Sequence, residues 1–455
     1  MPDPIPIDLV ATFSTDLTAV PAGQGFTLQA VTGAARVYVD LGTGDGPQET
    51  AGQLWEYPRA GNYRLTVIDA ADLGRRRELP VTVVPGTPAL SLTTTYPVNT
   101  AAQFAAAGVD GPDNHLGICR VPGGTDDDLY FYGHWWDPAD GHLGIARLRG
   151  TTHDMLASGA VVLTKIAGNP FPPFPQAYLM PGPMHVVQRA GRPDLVLTAA
   201  LLAETHPTAG TTYGSVHLLA SEDYETFRYV GELWRHGVDK TAYMTTLDPA
   251  SYTGMNGGSS LLWVADGSGV EHQGWLYFPH SAANGPTHGP GGTAANFVPL
   301  TLARVWLPAL LAALDSGAPI TPLVEKWYQD GWNSRYDGPA SPLPGASSLL
   351  GRFAPQFVWC GDVGLYLAIG QSAGTSDGNV VWLQTAPNPE GPWSAPQAVG
   401  RFGVGAAEAA PCPTPITPDG TVGSTFQVWA EVYDSATNGP VRWDGLTVRL
   451  GTDGH

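Results

Sequence analysis

Short apolar runs alternate with turn-forming residues along the whole chain. Typical runs are DLYFYGHWW (128–136), LVLTAALL (195–202) and VVWLQTA (380–386), each bounded by Gly, Pro, Asn or Asp. They are rich in aromatic and β-branched residues and too short for most helices. Runs of this length and makeup predict β-strands. From residue 105 onward the pattern predicts about eighteen of them.

One arrangement of strand and turn occurs twice. Residues 215–234 and 379–399 each give an apolar strand, a small-residue pair, a polar turn, an aromatic residue (Phe227 or Trp393) and a second short strand. A unit that recurs within a chain indicates one supersecondary element used several times. Taken three or four at a time, the strands form five units of roughly 55 to 80 residues. We therefore expect a five-bladed β-propeller. A jelly roll, the alternative, would need only eight strands.

Three segments differ from this repeating pattern. Residues 1–85 are predicted to form a separate small immunoglobulin-like β-sandwich. Residues 86–104, rich in Pro and Thr, are predicted to form a linker or a strand leading into the second domain. The propeller would then occupy residues 105–455. Within it, Leu and Ala at helical spacing after Pro308 predict a short helix over 308–315.

Composition agrees with an all-β protein. The 455 residues include 57 Gly and 42 Pro, yet 43% are hydrophobic, which indicates many turns around a substantial core. The formal charge of −19 disfavours a nucleic-acid partner, since no basic patch is visible. No apolar run approaches about 18 residues, so we expect no membrane insertion. The three cysteines fit neither a disulfide framework nor a zinc site and should be buried as small apolar residues.

Two stretches carry resemblances to known families. YVDLGTGDG (38–46) with WEYPRAGNYRLTVID (55–69) resembles PKD-type immunoglobulin-like domains, which serve as spacers or attachment modules. Thr385-Ala386 followed by GPWS (391–394) is similar to the blades of five-bladed glycoside hydrolases of the arabinanase and xylosidase kind. DNHLGICRV (113–121) with DLYFYGHWW resembles, within that group, endo-D-arabinanase-like proteins of actinobacteria and of the tails of their phages.

The resemblance implies a function. It indicates a phage tail protein whose propeller binds and hydrolyses a host cell-envelope polysaccharide such as arabinan, with other tail proteins as partners of the N-terminal domain. The N-terminus has neither the basic start nor the apolar core of a signal peptide. We therefore expect a protein of the virion tail, or otherwise an extracellular one. His115 stands where the family has Asp. The alternative is therefore a non-catalytic receptor-binding or structural tail protein with a degenerate hydrolase fold.

Glycoside hydrolysis needs two carboxyl groups, one protonated and one ionised. In a propeller such groups lie where the innermost strand of each blade begins. The candidates by this rule are Asp110, Asp113, Asp248, Asp362 and Glu408. Asp113 directly precedes the HLGICRV strand and is the predicted base. Glu408 is the only carboxylic residue in the small-residue run GVGAAEAAPCP and is predicted to be the general acid or an orienting group.

Aromatic and polar side chains that suit a carbohydrate cleft form a second set. Aromatic rings bind the apolar faces of sugars, and His or Asn can hydrogen-bond the hydroxyls. The predicted substrate-binding residues are His115, His134, Trp135, Trp136, His185, His280, Asn284, His288 and Trp332. Trp332 belongs to an aromatic loop over 325–341, which is either a glycan platform or an assembly contact.

No cofactor is expected. The run Asp126-Asp127-Asp128 supplies oxygen ligands that Ca²⁺ accepts, but its spacing matches no EF-hand. We therefore predict a surface hairpin tip, with calcium as the one ion that could bind there.

Overall fold

A computed structural model of the chain consists almost entirely of β-strands in two compact units. The first unit comprises Met1–Ala89, Val363–Leu365 and Gly451–His455, and the second Leu90–Asp362 and Tyr366–Leu450. The structure describes residues 9–450 except 15–16, 18–19, 22–26, 33, 42–46, 50–60, 74, 85–89, 110–115, 126, 138, 140–142, 169–177, 205–212, 235–252, 256–260, 269, 285–296, 337–339, 348–355, 373–379, 402–411, 415–420 and 435–438.

The first unit is the predicted β-sandwich. Its strands are β1 (Val10–Phe13), β2 (Val20–Pro21), β3 (Leu28–Thr32), β4 (Val37–Asp40), β5 (Gln48–Glu49), β6 (Gly61–Asp69) and β7 (Arg76–Val84). β1 pairs with β3, and the second sheet has the order β2-β7-β6-β4-β5. Alternate residues of the two sheets, among them Val39, Leu65 and Val81, are buried in one core.

Of the two alternatives predicted for residues 86–104, the structure has a strand rather than a linker over residues 90–100. Leu90–Thr100 forms a strand, β8, and Ala101–Ala106 forms a short helix, α1, capped by the Thr100 side chain. Thr100 accepts a hydrogen bond from the Gln103 backbone, while the Gln103 side chain accepts one from the Thr100 backbone. The Thr-rich composition that suggested a linker also suits a strand, because β-branched residues fit a pleated surface. The second unit therefore begins about 15 residues before the predicted boundary.

The second unit contains five sheets in sequence. Their strands are β9 (Gly117–Arg120), β10 (Leu129–Trp136), β11 (Leu143–Gly150), β12 (Val161–Lys165); β13 (Tyr178–Val187), β14 (Leu195–Glu204), β15 (Tyr213–Ser221), β16 (Arg228–Trp234); β17 (Thr253–Met255), β18 (Leu262–Ala265), β19 (Gly274–Asn284), β20 (Phe297–Trp306), β21 (Val324–Lys326), β22 (Ser334–Arg335); β23 (Gln356–Cys360), β24 (Leu365–Ser372), β25 (Val380–Ala386), β26 (Gln397–Arg401); and β27 (Cys412–Thr414), β28 (Thr421–Val422), β29 (Thr425–Asp434), β30 (Gly439–Leu450). Each sheet is an antiparallel meander. The exception is β28, which comes between β27 and β29 in the chain but pairs in parallel with β23 of the fourth sheet.

The innermost strands of the five sheets close into a ring. β9 contacts β13, β13 contacts β18, β18 contacts β23, β23 contacts β27, and β27 returns to contact β9. In the third sheet, β17 and β18 share the inner position, because both pair with β19. Five consecutive meanders around a closed ring are a five-bladed β-propeller. The fold predicted from the strand pattern is confirmed.

A strand from the beginning of the second unit completes the last blade. The fifth sheet has the order β27-β29-β30-β8, so β8 lies at its outer edge. The pairing of β8 with β30 extends from Arg442 opposite Thr100 to Leu450 opposite Leu90. Residues far apart in sequence therefore share one blade, and the ring is closed by main-chain hydrogen bonds as well as by packing.

The hydrophobic core lies between blades rather than in one central mass. Four buried clusters each join two neighbouring blades: the first to the second, the second to the third, the third to the fourth, and the fifth to the first. Rings lie at these contacts. Phe131 stacks on Trp429 across the fifth and first blades, with ring centroids 5.0 Å apart, and Tyr132 meets Phe227 edge-on across the first and second.

The predicted helix over 308–315 is confirmed as α2 (Leu307–Ser316), with Pro in its first turn and Gly317 in the left-handed conformation at its end. A short 3₁₀ helix (Thr321–Leu323) follows it. Leu307 and Leu310 of α2 are buried in the cluster between the second and third blades. No helix among the described residues is long and apolar enough to cross a membrane.

The repeated sequence unit corresponds to the outer half of a blade. Residues 215–234 form β15 and β16, and residues 379–399 form β25 and most of β26. The aromatic residue of each unit, Phe227 or Trp393, is buried at a contact between blades. The repeated sequence unit therefore specifies the architecture of the blades.

Trp429 is expected to be a main stabilising residue of the ring, because it is fully buried and stacked across the closing blades. We expect Trp429→Ala to lower the free energy of unfolding by about 3–5 kcal/mol, as large-to-small changes in cores do. Urea denaturation measures the loss. Trp359→Ala, at a half-buried tryptophan whose ring meets Tyr366, is the matched control and should lose less. Equal losses in the two variants would contradict this assignment.

Candidate functional site

The predicted catalytic carboxylates stand next to inner strands that are neighbours in the ring. Asp113 precedes Gly117, the first residue of β9, by four positions, and Glu408 precedes Cys412, the first residue of β27, by four positions. β9 and β27 contact each other. Asp110, Asp113, His115, Asp248 and Glu408 themselves lie outside the described residues, and their roles remain predictions.

Asp362 lies in the turn that joins β23 to β24 and is exposed. Its Oδ2 accepts a hydrogen bond of 2.6 Å from the backbone N–H of Ser424, which holds the pKa of this carboxyl below its ordinary value. An ionised carboxylate cannot donate a proton to a leaving group. Asp362 also follows the end of its inner strand, whereas Asp113 and Glu408 precede the starts of theirs.

His134 and Trp135 lie near the end of β10, the second strand of the first blade. Burial lowers the pKa of His134 to about 4, so its imidazole is neutral at pH 7. A neutral imidazole has one donor and one acceptor nitrogen, which suits hydrogen bonding to a hydroxyl. Trp135 packs against the cluster between the fifth and first blades. Its ring also covers Gly144, where an added Cβ would lie 2.6 Å from the indole. Trp135 is thus partly a packing residue.

The structure describes only the backbone for several of the other predicted binding residues. Trp136 ends β10 and is opposite Leu143. His280 is opposite Thr301 in the third blade, and Asn284, at the end of β19, is opposite Thr253. His288 lies outside the described residues. Trp136 and Asn284 both end the second strand of a blade, and successive blades have the same strand order, so both strand ends belong to one end of the propeller.

His185 is placed between blades. It is 6% exposed, and its ring stacks on Trp263 of the third blade with centroids 5.4 Å apart. Val187, two residues further along β13, is buried in the cluster between the second and third blades. This packing gives His185 a structural function. A contact between its imidazole and a polysaccharide would require the blades to separate.

Trp332 belongs to a cluster of aromatic and charged side chains around Arg304. The guanidinium of Arg304 lies over the Trp275 ring at 3.8 Å and over the Trp332 ring at 3.9 Å. Its Nε and Nη2 both lie 3.0 Å from Oε2 of Glu325, and Tyr277 meets Trp332 edge-on. The aromatic loop over 325–341 therefore folds back on its own blade, and one face of Trp332 is already occupied by a cation.

Sequence reasoning missed Arg304. The only signal was a single charged residue within the apolar strand LARVWL, and a strand pattern does not show what such a residue contacts. The tyrosine of the same cluster also joins two blades, because the Tyr277 hydroxyl donates a hydrogen bond of 3.0 Å to Glu390 in the fourth blade. Burial, with Glu390 nearby, raises the pKa of Tyr277 above its ordinary value, so the hydroxyl keeps its proton.

Within the acidic run, Asp127 and Asp128 bind protein donors, and Asp126 lies outside the described residues. Asp127 accepts hydrogen bonds from the backbone and the hydroxyl of Thr152, at 2.8 and 2.6 Å. Asp128 accepts two from Arg149, at 2.9 and 2.7 Å. Among the described residues no group of three or more His, Cys, Asp or Glu side chains could hold a metal ion. Cys119 and Cys360 are buried and form no disulfide.

No family model and no curated protein matches the chain. Several solved structures are similar to it. An exo-β-1,3-galactanase from Clostridium thermocellum has a TM-score of 0.43 and 13% identity, over 77% of this chain and 61% of that one. An α-L-arabinofuranosidase from Podospora anserina, solved with cellotriose, has a TM-score of 0.39 and 10% identity, over 75% and 91%. An α-L-arabinofuranosidase from Lactobacillus brevis has a TM-score of 0.39 and 12% identity, over 74% and 90%.

The lowered pKa of His134 makes stability depend on pH. The folded state favours the neutral imidazole, so its contribution is complete above the ordinary pKa of about 6.5 and is lost as the pH falls towards 4. We expect the free energy of unfolding to fall by up to roughly 3 kcal/mol from this residue over that range. Urea denaturation from pH 7 to pH 4 measures the fall. His134→Gln, which cannot be protonated there, should show a shallower one. A fall of equal steepness in both proteins would contradict the assignment.

Proposed function

We propose that the propeller binds a polysaccharide and hydrolyses one of its internal glycosidic linkages, with arabinan of a host cell envelope as the substrate. The observation that supports this most is the contact between β9 and β27. It joins two inner strands, each of which follows a candidate carboxylate by four residues. Two carboxyl groups about 5–10 Å apart are what glycoside hydrolysis requires.

The two carboxylic residues would have different roles in the proposed reaction. Glu408 would donate its proton to the leaving oxygen as the bond from the anomeric carbon to that oxygen breaks. Asp113 would accept a proton from the attacking water, whose oxygen bonds to the anomeric carbon. Asp110, three residues before Asp113, would keep further negative charge near the oxocarbenium-like transition state.

The residues at the end of β10 would contact the substrate. Trp136 ends this strand, and the neutral imidazole of His134 is suited to hydrogen-bond a hydroxyl without adding charge. His115, which is two residues after Asp113 in the sequence, would belong to the same group. Sugar rings bind through such combinations of aromatic faces and hydrogen-bonding groups.

We place this activity in a phage tail, with the N-terminal sandwich as the attachment module to other tail proteins. This part of the proposal rests on the resemblance of residues 38–69 and 113–136 to the families named above. Mass spectrometry of purified virions would detect the chain if the placement is right, and its absence from them would contradict it.

The hydrolysis is tested with soluble arabinan and purified full-length protein. We expect released oligosaccharides from the wild type and a loss of at least about 100-fold in Asp113→Asn and in Glu408→Gln, the usual effect of removing an acid or base. Asp266→Asn is the matched control, because Asp266 is an exposed turn carboxylate between β18 and β19 and should leave the rate unchanged.

The rival function predicts a different result in the same assay. A non-catalytic receptor-binding protein would release nothing, yet would bind the glycan saturably, and this binding would survive Asp113→Asn. No release from arabinan, under conditions in which a control arabinanase is active, would contradict the hydrolase.

A further inference from the structure

A cavity of about 250 Å³ lies between the first and second blades, at the far ends of their inner strands. It is lined by Arg120 and Val121 at the end of β9 and by Val186 and Gln188 at the end of β13. The candidate carboxylate Asp113 precedes the opposite end of β9. The cavity is therefore separate from the proposed catalytic site.

The lining of this cavity is half apolar and half polar. Met184 and Val121 are buried and give it an apolar wall, and Gly123 and Gly124 contribute only backbone. Asp194, Arg120 and Gln188 supply a carboxylate, a guanidinium and an amide. Asp194 accepts a hydrogen bond of 2.8 Å on Oδ2 from the Tyr224 hydroxyl, and among the described residues its Oδ1 accepts none. The ring of Tyr224 adds an aromatic surface.

Tyr224 is held in an unfavourable backbone conformation at the cavity wall. Its φ of 62° lies in the left-handed region, which is strained for a bulky side chain. Three hydrogen bonds fix it. Its hydroxyl donates to Asp194, and its carbonyl accepts from the Tyr132 hydroxyl at 2.9 Å and from Nη1 of Arg147 at 3.0 Å. Strain that the surroundings enforce in this way is typical of sites that clamp ligands.

We propose that this cavity is a second carbohydrate site, which binds a single sugar unit of the polysaccharide without cleaving it. The inference rests on the proposed function only for the class of ligand. A cavity smaller than the roughly 300 Å³ minimum of drug-sized sites suits one monosaccharide unit. Tyr224 would cover the apolar face of the sugar ring, and Asp194 and Gln188 would hydrogen-bond its hydroxyls.

The position of the site has a consequence for how the protein meets its substrate. The cavity lies at the end of β9 opposite to the one that Asp113 precedes, so the two sites would bind separate stretches of a polysaccharide, or separate chains of a branched one. Two sites on one protein raise the effective concentration of the polymer at each.

The test measures binding of D-arabinose, L-arabinose, D-galactose, D-xylose and soluble arabinan to the full-length protein by calorimetry. The first variant is Tyr224→Asn, because Asn tolerates the left-handed conformation and removes the ring. The backbone should therefore keep its native conformation, and a thermal unfolding curve checks that the variant is folded. The second variant is Asp194→Asn. The matched control is Gln329→Asn, another left-handed residue, with φ of 50°, outside the cavity lining.

We expect at least one sugar to bind the wild type, and Tyr224→Asn and Asp194→Asn each to weaken that binding at least tenfold, with Gln329→Asn unchanged. Binding that neither variant weakens, or no binding of any sugar, would overturn the second site. Hydrolysis is measured separately on the same proteins. An active enzyme without Tyr224-dependent binding contradicts the second site alone, and an inactive protein with such binding contradicts the proposed hydrolysis alone.

Discussion

The pairing of β8 with β30 is the interaction on which the rest of the propeller depends. A ring of blades has no stable end until its last blade meets its first, and here a strand from the start of the unit completes the final sheet. The closure also fixes the contact between β27 and β9, since these inner strands belong to the blades that it joins. The candidate acid and base stand just before these two strands. The closure of the fold and the proposed chemistry therefore depend on the same place in the ring.

Packing between blades explains why several residues that resemble sugar-binding groups have structural roles. Because the core is divided among the contacts between blades, aromatic rings are needed at each one. His185 stacks on Trp263 of the next blade, Trp135 packs against the cluster between the fifth and first blades, and Trp332 packs against the cluster between the third and fourth. From sequence, an aromatic residue in a blade core and one in a ligand cleft look the same.

The fold could be predicted because strand length, turn residues and the recurring outer hairpin are local signals, and all of them indicated a propeller. The signal for the helix after Pro308, Leu and Ala at helical spacing, is local in the same way. The role of residues 90–100 could not be predicted, because their partner, β30, lies some 350 residues away and composition does not indicate pairing. Arg304 and Tyr224 were missed for a related reason. The significance of Arg304 depends on contacts with Trp275, Glu325 and Trp332, which lie apart from it in the sequence of its blade. The significance of Tyr224 depends on contacts across two blades and on a backbone conformation that no sequence pattern specifies.

The central claim is that ring closure brings one carboxylate from each side of the β9–β27 contact to a common site. The most direct measurement is the distance between the carboxyl groups of Asp113 and Glu408 in a crystal structure with a bound arabinan oligosaccharide. We expect about 5–10 Å, with the scissile linkage between the two groups. A separation beyond about 15 Å, or an oligosaccharide bound away from both groups, would contradict the claim.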